Sequence, residues 1–306
     1  MQEAIVKIEG LSHRYASSWA IRDINMEIGR SGIMGLLGSN GAGKSTTMNI
    51  LCGVLNQTEG DVYINGISMR EAPKEAKKQI GFLPQNAPLY MDLTVDEYLN
   101  YCAGLRLIPT HKIKDAVQEA KERCGIDHYS HRLIRNLSGG YRQRAGIAQA
   151  IVHKPKLIVL DEPTNGLDPN QITEVRGLIK EIAQERAVIF SSHILSEVQV
   201  LCKEVKMIES GRIVFSDTMD AFNNYIEPHS VLVHLENPPA AEELMKISGV
   251  SKVDFLTERQ VRIYFSGDQE ITERIVAASM QHGWRLREIS LDKTALDEIF
   301  RQLSTR

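Results

Sequence analysis

The stretch Gly38-Ser39-Asn40-Gly41-Ala42-Gly43-Lys44-Ser45-Thr46 satisfies the pattern GxxxxGK[ST] at each fixed position. Such a loop is built to hold phosphate. Its glycines let the backbone curl so that successive N–H groups point inward, and the helix that follows adds a positive dipole end. Lys44 can reach the terminal phosphates, and the Ser45 hydroxyl is a fitting oxygen ligand for Mg²⁺. A second candidate is Leu157-Ile158-Val159-Leu160-Asp161-Glu162, an apolar run ending in two adjacent carboxylates. Asp161 suits the shell of a metal ion and Glu162 suits an attacking water. A glycine-rich turn and a solvated acid pair are the structural alternatives. The strand-loop-helix setting of the first motif weighs against one, and Pro163-Thr164-Asn165-Gly166-Leu167-Asp168, directly after the acids, against the other.

Both motifs need strands beneath them. Ile33 to Leu37 reads as an apolar strand feeding the phosphate loop, with a helix starting near Thr46 and running to Leu51. Leu157 to Leu160 reads as a fully buried parallel strand, whose C-terminal end is where open α/β sheets place ligands. Further on, the periodic segment Ile172 to Ala183 and the run Val188 to Phe190 continue a strand-helix alternation, which argues for a parallel sheet with crossover helices. Ala4 to Ile8, Ile24 to Ile28 and Asp61 to Ile64 read as additional strands. From about Thr94 to Val152 the chain reads as mostly helical. Val95, Tyr98, Leu99, Cys102 and Leu105, then Ile113, Val117, Ala120 and Cys124, recur near the helical period.

The last 80 or so residues differ. Val231, Val233 and Leu235 alternate with polar residues, as do Val261, Ile263 and Phe265. Ala240 to Ile247 and Glu270 to Gln281 read as helices, and Trp284 to Ile289 as a further strand. The order strand, helix, strand, strand, helix, strand predicts a small ferredoxin-like α+β domain. Pro228, Pro238 and Pro239 fall between elements. The boundary is expected near Asn223 to Glu227, giving domains 1–225 and 226–306.

At 306 residues the chain has room for one large or two ordinary domains. It is 42% hydrophobic and 25% charged, a globular composition, and its net charge of −3 disfavours a protein coated with nucleic acid. No apolar run approaches the roughly 18 residues a membrane span needs, and Glu3, Lys7 and Glu9 make a secretory signal unexpected. Cys52, Cys102, Cys124 and Cys202 are scattered, which fits buried thiols in a reducing compartment better than a disulfide or zinc framework.

A third motif, Leu137-Ser138-Gly139-Gly140, opens a predicted helix running to about Val152. With the two motifs above, it resembles the nucleotide-binding subunit of ATP-binding-cassette (ABC) transporters, over residues 1 to about 220. The resemblance implies a P-loop ABC cassette: a parallel core sheet, an antiparallel β subdomain and a helical subdomain. It also implies ATP hydrolysis with Mg²⁺ held by Ser45, Gln85 and Asp161, Glu162 polarising the water and His193 contacting the γ-phosphate. Ser138, Gly139 and Gly140 offer donors at a helix N-terminus, suited to a γ-phosphate. Since the chain has its own phosphate loop, this second anion clamp implies a homodimer with ATP sandwiched between copies. Asp168 matches an aspartate that crosses that interface, Tyr15 an aromatic that stacks on adenine, and Gln85 a glutamine linking the site to a membrane subunit. One departure is Tyr141, where many relatives carry glutamine.

Three functions share this ATPase. The short C-terminal extension resembles that of ABC-2-type exporter ATPases, several of which also end in a helix like Leu296-Asp297-Glu298-Ile299-Phe300. An importer ATPase is the second reading, and a soluble ABC ATPase acting on ribosomes or DNA the third. The exporter reading expects a cytoplasmic protein, peripheral on the inner face of the membrane, with a transmembrane permease as a separate chain and no nucleic-acid partner.

Overall fold

The structure is a computed structural model that describes residues 4–225, 230–265 and 270–291. The chain divides into two compact units, the division falling between Met219 and Asp220. The first runs β1 (Val6–Tyr15), β2 (Ser18–Ile28), β3 (Gly32–Leu37), α1 (Lys44–Leu51), β4 (Glu59–Ile64), β5 (Ile67–Ser68), α2 (Pro73–Lys78) and β6 (Ile80–Leu83). It continues through α3 (Val95–Leu105), α4 (Thr110–Arg123), α5 (Gly139–Ile151), β7 (Leu157–Asp161), α6 (Pro169–Glu185), β8 (Ala187–Ser192), α7 (Leu195–Leu201), β9 (Glu204–Glu209) and β10 (Arg212–Thr218).

Two sheets form this unit. One is antiparallel, in the order β2-β1-β4-β5; the other has the order β10-β9-β3-β8-β7-β6. In the second, β6, β7, β8, β3 and β9 are mutually parallel and β10 closes the edge as an antiparallel hairpin. All residues of β7 and β8 are buried, as expected of parallel strands covered on both faces, which is why they read as unbroken apolar runs. The strands at the N-terminus are longer than their apolar cores suggested, because β1 and β2 carry polar residues outward along a bulged ladder. The helical stretch breaks into α3, α4 and α5, with short 3₁₀ turns between α4 and α5. Helix α3 starts at a capping box: Thr94 Oγ1 accepts from the Glu97 N–H, and the Glu97 carboxylate accepts from the Thr94 N–H at 2.8 Å. The Thr94 N–H and hydroxyl, both donating to it, hold the exposed Glu97 carboxyl below its ordinary pKa.

The second unit contains α8 (Met219–Tyr225), β11 (Ser230–Leu235), α9 (Ala241–Leu244), β12 (Val250–Phe255), β13 (Gln260–Phe265), α10 (Ile271–His282) and β14 (Leu286–Leu291). Its strands form one antiparallel sheet, β12-β13-β11-β14. Val231, Val233, Leu235, Val261 and Ile263 project from it into a core completed by Leu244, Ile271, Ile275 and Trp284. Helix α9 is one turn long and stops well short of Ile247, because the chain turns at Met245 to Gly249 to enter β12. The expected terminal helix at Leu296 to Phe300, and Pro228, lie outside the described residues.

Candidate nucleotide site

Strand register assembles the site. Strand β8 lies between β3 and β7, with Leu37 opposite Ser192 and Asp161 opposite Ser191. Neighbouring strands are about 4.8 Å apart, so the loops leaving β3, β8 and β7 emerge side by side at one sheet edge. Those loops carry Gly38–Thr46, His193 and Glu162. Strand β6 pairs with β7 in the same register, Leu83 opposite Leu160, and delivers Gln85 two residues later.

The phosphate loop folds as its glycines dictate. Gly43, the residue before α1, has φ 112°, and a Cβ there would meet Ile21 Cγ2 at 2.6 Å; only glycine fits. Helix α1 has no side-chain N-cap, so its first-turn N–H groups face the loop's hollow. Lys44 is buried, and its Nζ donates to the carbonyls of Gly38 at 2.9 Å and Ser39 at 3.1 Å. The ammonium therefore bends back over the loop. Ser39 Oγ donates to Glu209 Oε2 at 2.9 Å, tying the loop to the end of β9. Ser45 and Thr46 are half-buried at the start of α1, while Asn40 and Gly41 are exposed and Ala42 buried.

Glu162 is the centre of the site. Its side chain is only 9% exposed, and its carboxylate lies 3.6 Å from Lys44 Nζ and 3.2 Å from His193 Nδ1. Gln85 Nε2 donates to its Oε2 at 3.3 Å. Three residues from three other loops thus converge on one acid. The backbone of Glu162 has φ 47°, in the left-handed region. Ser191 supports it from beneath: its fully buried hydroxyl accepts from the Glu162 N–H at 2.9 Å and donates to Asp161 Oδ1 at 2.6 Å.

The remaining sequence-derived candidates stand elsewhere. Ser138 is the N-cap of α5, accepting from the Tyr141 N–H, and together with Gly139 it is exposed. Asp168 is the exposed N-cap of α6, accepting from the Gln171 N–H at 3.0 Å. Among the described residues, neither Ser138 nor Asp168 hydrogen-bonds to the phosphate-loop set. Tyr15 ends β1, 53% exposed as a residue, with its ring edge-on to His13, centroids 4.7 Å apart. Tyr141 turns away from any glutamine-like role: its ring packs edge-on against Tyr129 at 4.6 Å, with Arg144 over its face at 5.5 Å.

Sequence reading missed the residues that hold the site from behind. Ser191, Ser192 and Glu197 belong to none of the motifs read from the sequence. A signal existed for Glu197. It is an acid on the buried side of α7, beside Leu195, Val198 and Leu201, and a buried carboxylate must be satisfied by something.

The donor set suits Mg²⁺. Ser45, Asp161 and Gln85 offer hydroxyl, carboxylate and amide oxygens, the hard ligands this ion takes, and it is usually bound by one or two protein groups plus substrate phosphates and water. Among the described residues there is no cluster of three or more His, Cys, Asp or Glu able to cage a metal.

A family model described as ABC transporter matches residues 21–165. The chain is 39% identical over 212 residues to the bacitracin transport ATP-binding protein BcrA of Bacillus licheniformis, covering 69% of this chain and 68% of that one. It is 25% identical to the linearmycin resistance ATP-binding protein LnrL of Bacillus subtilis over 99% of both chains. Among solved structures, cbiO1 from Clostridium perfringens, part of the ABC transporter complex cbiONQ, superposes with a TM-score of 0.67 at 29% identity, covering 72% of this chain and 91% of that one. With this extent of identity and the same fold, this chain belongs to the family of ABC transporter ATP-binding proteins and is an ATPase.

Proposed function

We propose that the chain is the ATP-hydrolysing motor of an ABC-2-type membrane exporter, working as an ATP-sandwich homodimer on a separate permease subunit. The observation that carries the dimer is the separation of two anion sites. Gly38–Thr46, Lys44, Glu162 and His193 meet at one sheet edge, whereas the donors of Ser138 and Gly139 are exposed and unengaged by them. A second copy supplies the missing clamp. Asp168, also exposed, meets that copy, and Tyr15 offers an open aromatic face for adenine.

Each residue then has a task. The loop amides and Lys44 hold the phosphates. Glu162 accepts a proton from the attacking water, Gln85 and His193 orient that acid and the water, and Ser138 of the second copy neutralises charge on the γ-phosphate. Ser45, Asp161 and Gln85 would hold Mg²⁺, which when bound offsets phosphate charge. Lys44 now donates to two loop carbonyls, so ATP binding must draw it off them.

A groove of about 470 Å³ lined by Lys77, Tyr90, Tyr98, Tyr101, Leu105 and Arg106 supports docking of the permease on the helical subdomain. No helix among the described residues is long and apolar enough to cross a membrane, which fits a protein peripheral on the cytoplasmic face. The similarity to a bacitracin transport protein and a linearmycin resistance protein favours export over import, and the second of these spans the C-terminal residues as well. The sheet order β12-β13-β11-β14 supports a ferredoxin-like accessory domain that follows in sequence a cassette ending between Met219 and Tyr225. Purification of the tagged full chain from solubilised membranes tests the exporter reading. An integral membrane protein is expected to copurify stoichiometrically, and recovery with ribosomes or DNA instead would overturn it.

A further inference from the structure

Glu197 is a buried acid that the reaction as described does not use. It lies in the first turn of α7, four residues after His193, and is 3% exposed. One of its oxygens, Oε2, accepts two hydroxyls: Ser192 Oγ at 2.8 Å and Thr164 Oγ1 at 2.9 Å. The other, Oε1, accepts from Arg176 Nη2 at 3.3 Å. The donors come from three different places. Ser192 is the neighbour of His193, and its Oγ also accepts from the Ile194 N–H at 3.0 Å, so it brackets the histidine on both sides. Thr164 is two residues beyond Glu162, in the segment that leads to Asp168. Arg176 lies on α6, the helix that Asp168 caps.

A buried carboxylate is costly unless fully paired, and this one is paired only while the 162–168 segment, α6 and the His193 loop keep their present spacing. Displacing Asp168 displaces Thr164 or Arg176 and strips a donor from a group that cannot be left short. We infer that Glu197 is a positioning residue that couples the partner-facing segment at Asp168 to His193, so that the histidine is correctly set against Glu162 only when that segment is in its closed arrangement. This rests on the proposed roles of Glu162, His193 and Asp168. It makes hydrolysis conditional on the dimer interface without Glu197 touching the nucleotide.

The test removes the two hydroxyls that share Oε2, in the full chain, using Mg-ATP as the probe. In Thr164→Val and Ser192→Ala, kcat is expected to fall about tenfold each, in the range that small misplacement of reacting groups produces, while KM and ATP affinity stay within about twofold. Both variants should accumulate an ATP-bound dimer by light scattering, as a hydrolysis-blocked chain does. The double variant should be no slower than the slower single, because both hydroxyls act through one oxygen. Thr164→Ser, which keeps the hydroxyl, should restore kcat. If kcat is unchanged in either single variant, if the two effects multiply, or if kcat and dimerisation fall together with thermal stability, Glu197 is only a structural brace and the inference is overturned. Glu162→Gln, run in parallel, separates this failure from one of the underlying roles: turnover persisting there refutes the catalytic assignment, whatever Thr164 and Ser192 do.

Discussion

Glu162→Gln isolates the charge of the central acid, because glutamine matches its shape and can keep the contact with Gln85. Two opposite effects follow. On the role proposed for Glu162, hydrolysis loses its proton acceptor, worth about 10²–10⁴-fold in rate, or about 3–5 kcal/mol of barrier. Binding responds differently. Glu162 lies 3.6 Å from Lys44 Nζ, and at an effective dielectric of about 20 that separation corresponds to about 4–5 kcal/mol of gross attraction. Desolvation of both buried groups offsets most of it, leaving on the order of 1 kcal/mol. That residue of attraction competes with ATP for the ammonium, so removing it should leave affinity unchanged or improve it by up to about fivefold. The expected chain therefore binds ATP at least as well as the parent, hydrolyses it at least 100-fold more slowly, and doubles its mass by light scattering in excess Mg-ATP. Calorimetry, a phosphate-release assay and scattering read the three quantities separately. Turnover within tenfold of the parent, or a monomer at saturating ATP, would refute the reasoning.

Other outcomes follow from the same geometry. Lys44→Ala removes the buried ammonium that caps the Gly38 and Ser39 carbonyls, and calorimetry should show ATP affinity falling by about 100-fold or more. His153 donates to the Ile80 carbonyl at 3.0 Å, and burial pushes its pKa down to about 4. Since the unfolded chain protonates near 6.5, stability from this residue is complete above about pH 6.5 and is lost as pH falls toward 4, by about 3 kcal/mol in all. Urea midpoints at pH 7 and 4.5 should show this loss in the parent and not in His153→Gln; equal losses would remove His153 as the cause. Truncation after Tyr225 leaves each site residue in place, and ATP affinity should stay within about threefold; its loss by calorimetry would give the C-terminal residues a part in nucleotide binding.

The parts of the site that sequence made legible are those whose chemistry is local. The phosphate loop needs its glycines and Lys44 at fixed offsets, and Asp161 and Glu162 must follow an all-apolar strand, so composition and order suffice. The scaffold of the parallel sheet was readable for the same reason, since β7 and β8 are buried on both faces. What escaped was tertiary. The order of elements predicts strand β12, but Val250 to Phe255 are half-buried or exposed and their alternation is too weak to mark its bounds. Ser191 and Glu197 do their work through partners about 30 residues away in sequence. Tyr141 departs from a familiar pattern, and only the fold shows that Tyr129 and Arg144 occupy its ring. Arg144 also reaches the Glu174 carboxylate and the Cys124 carbonyl, which makes it a packing residue.

The left-handed backbone at Glu162 sets two kinds of selection against each other. A non-glycine residue held there costs on the order of 1 kcal/mol, and the Ser191 hydroxyl is what keeps it in place. A laboratory evolution run that rewards heat resistance alone should drift from glutamate toward glycine or asparagine at this position. One that rewards ATP turnover should keep the acid and gain its heat resistance elsewhere.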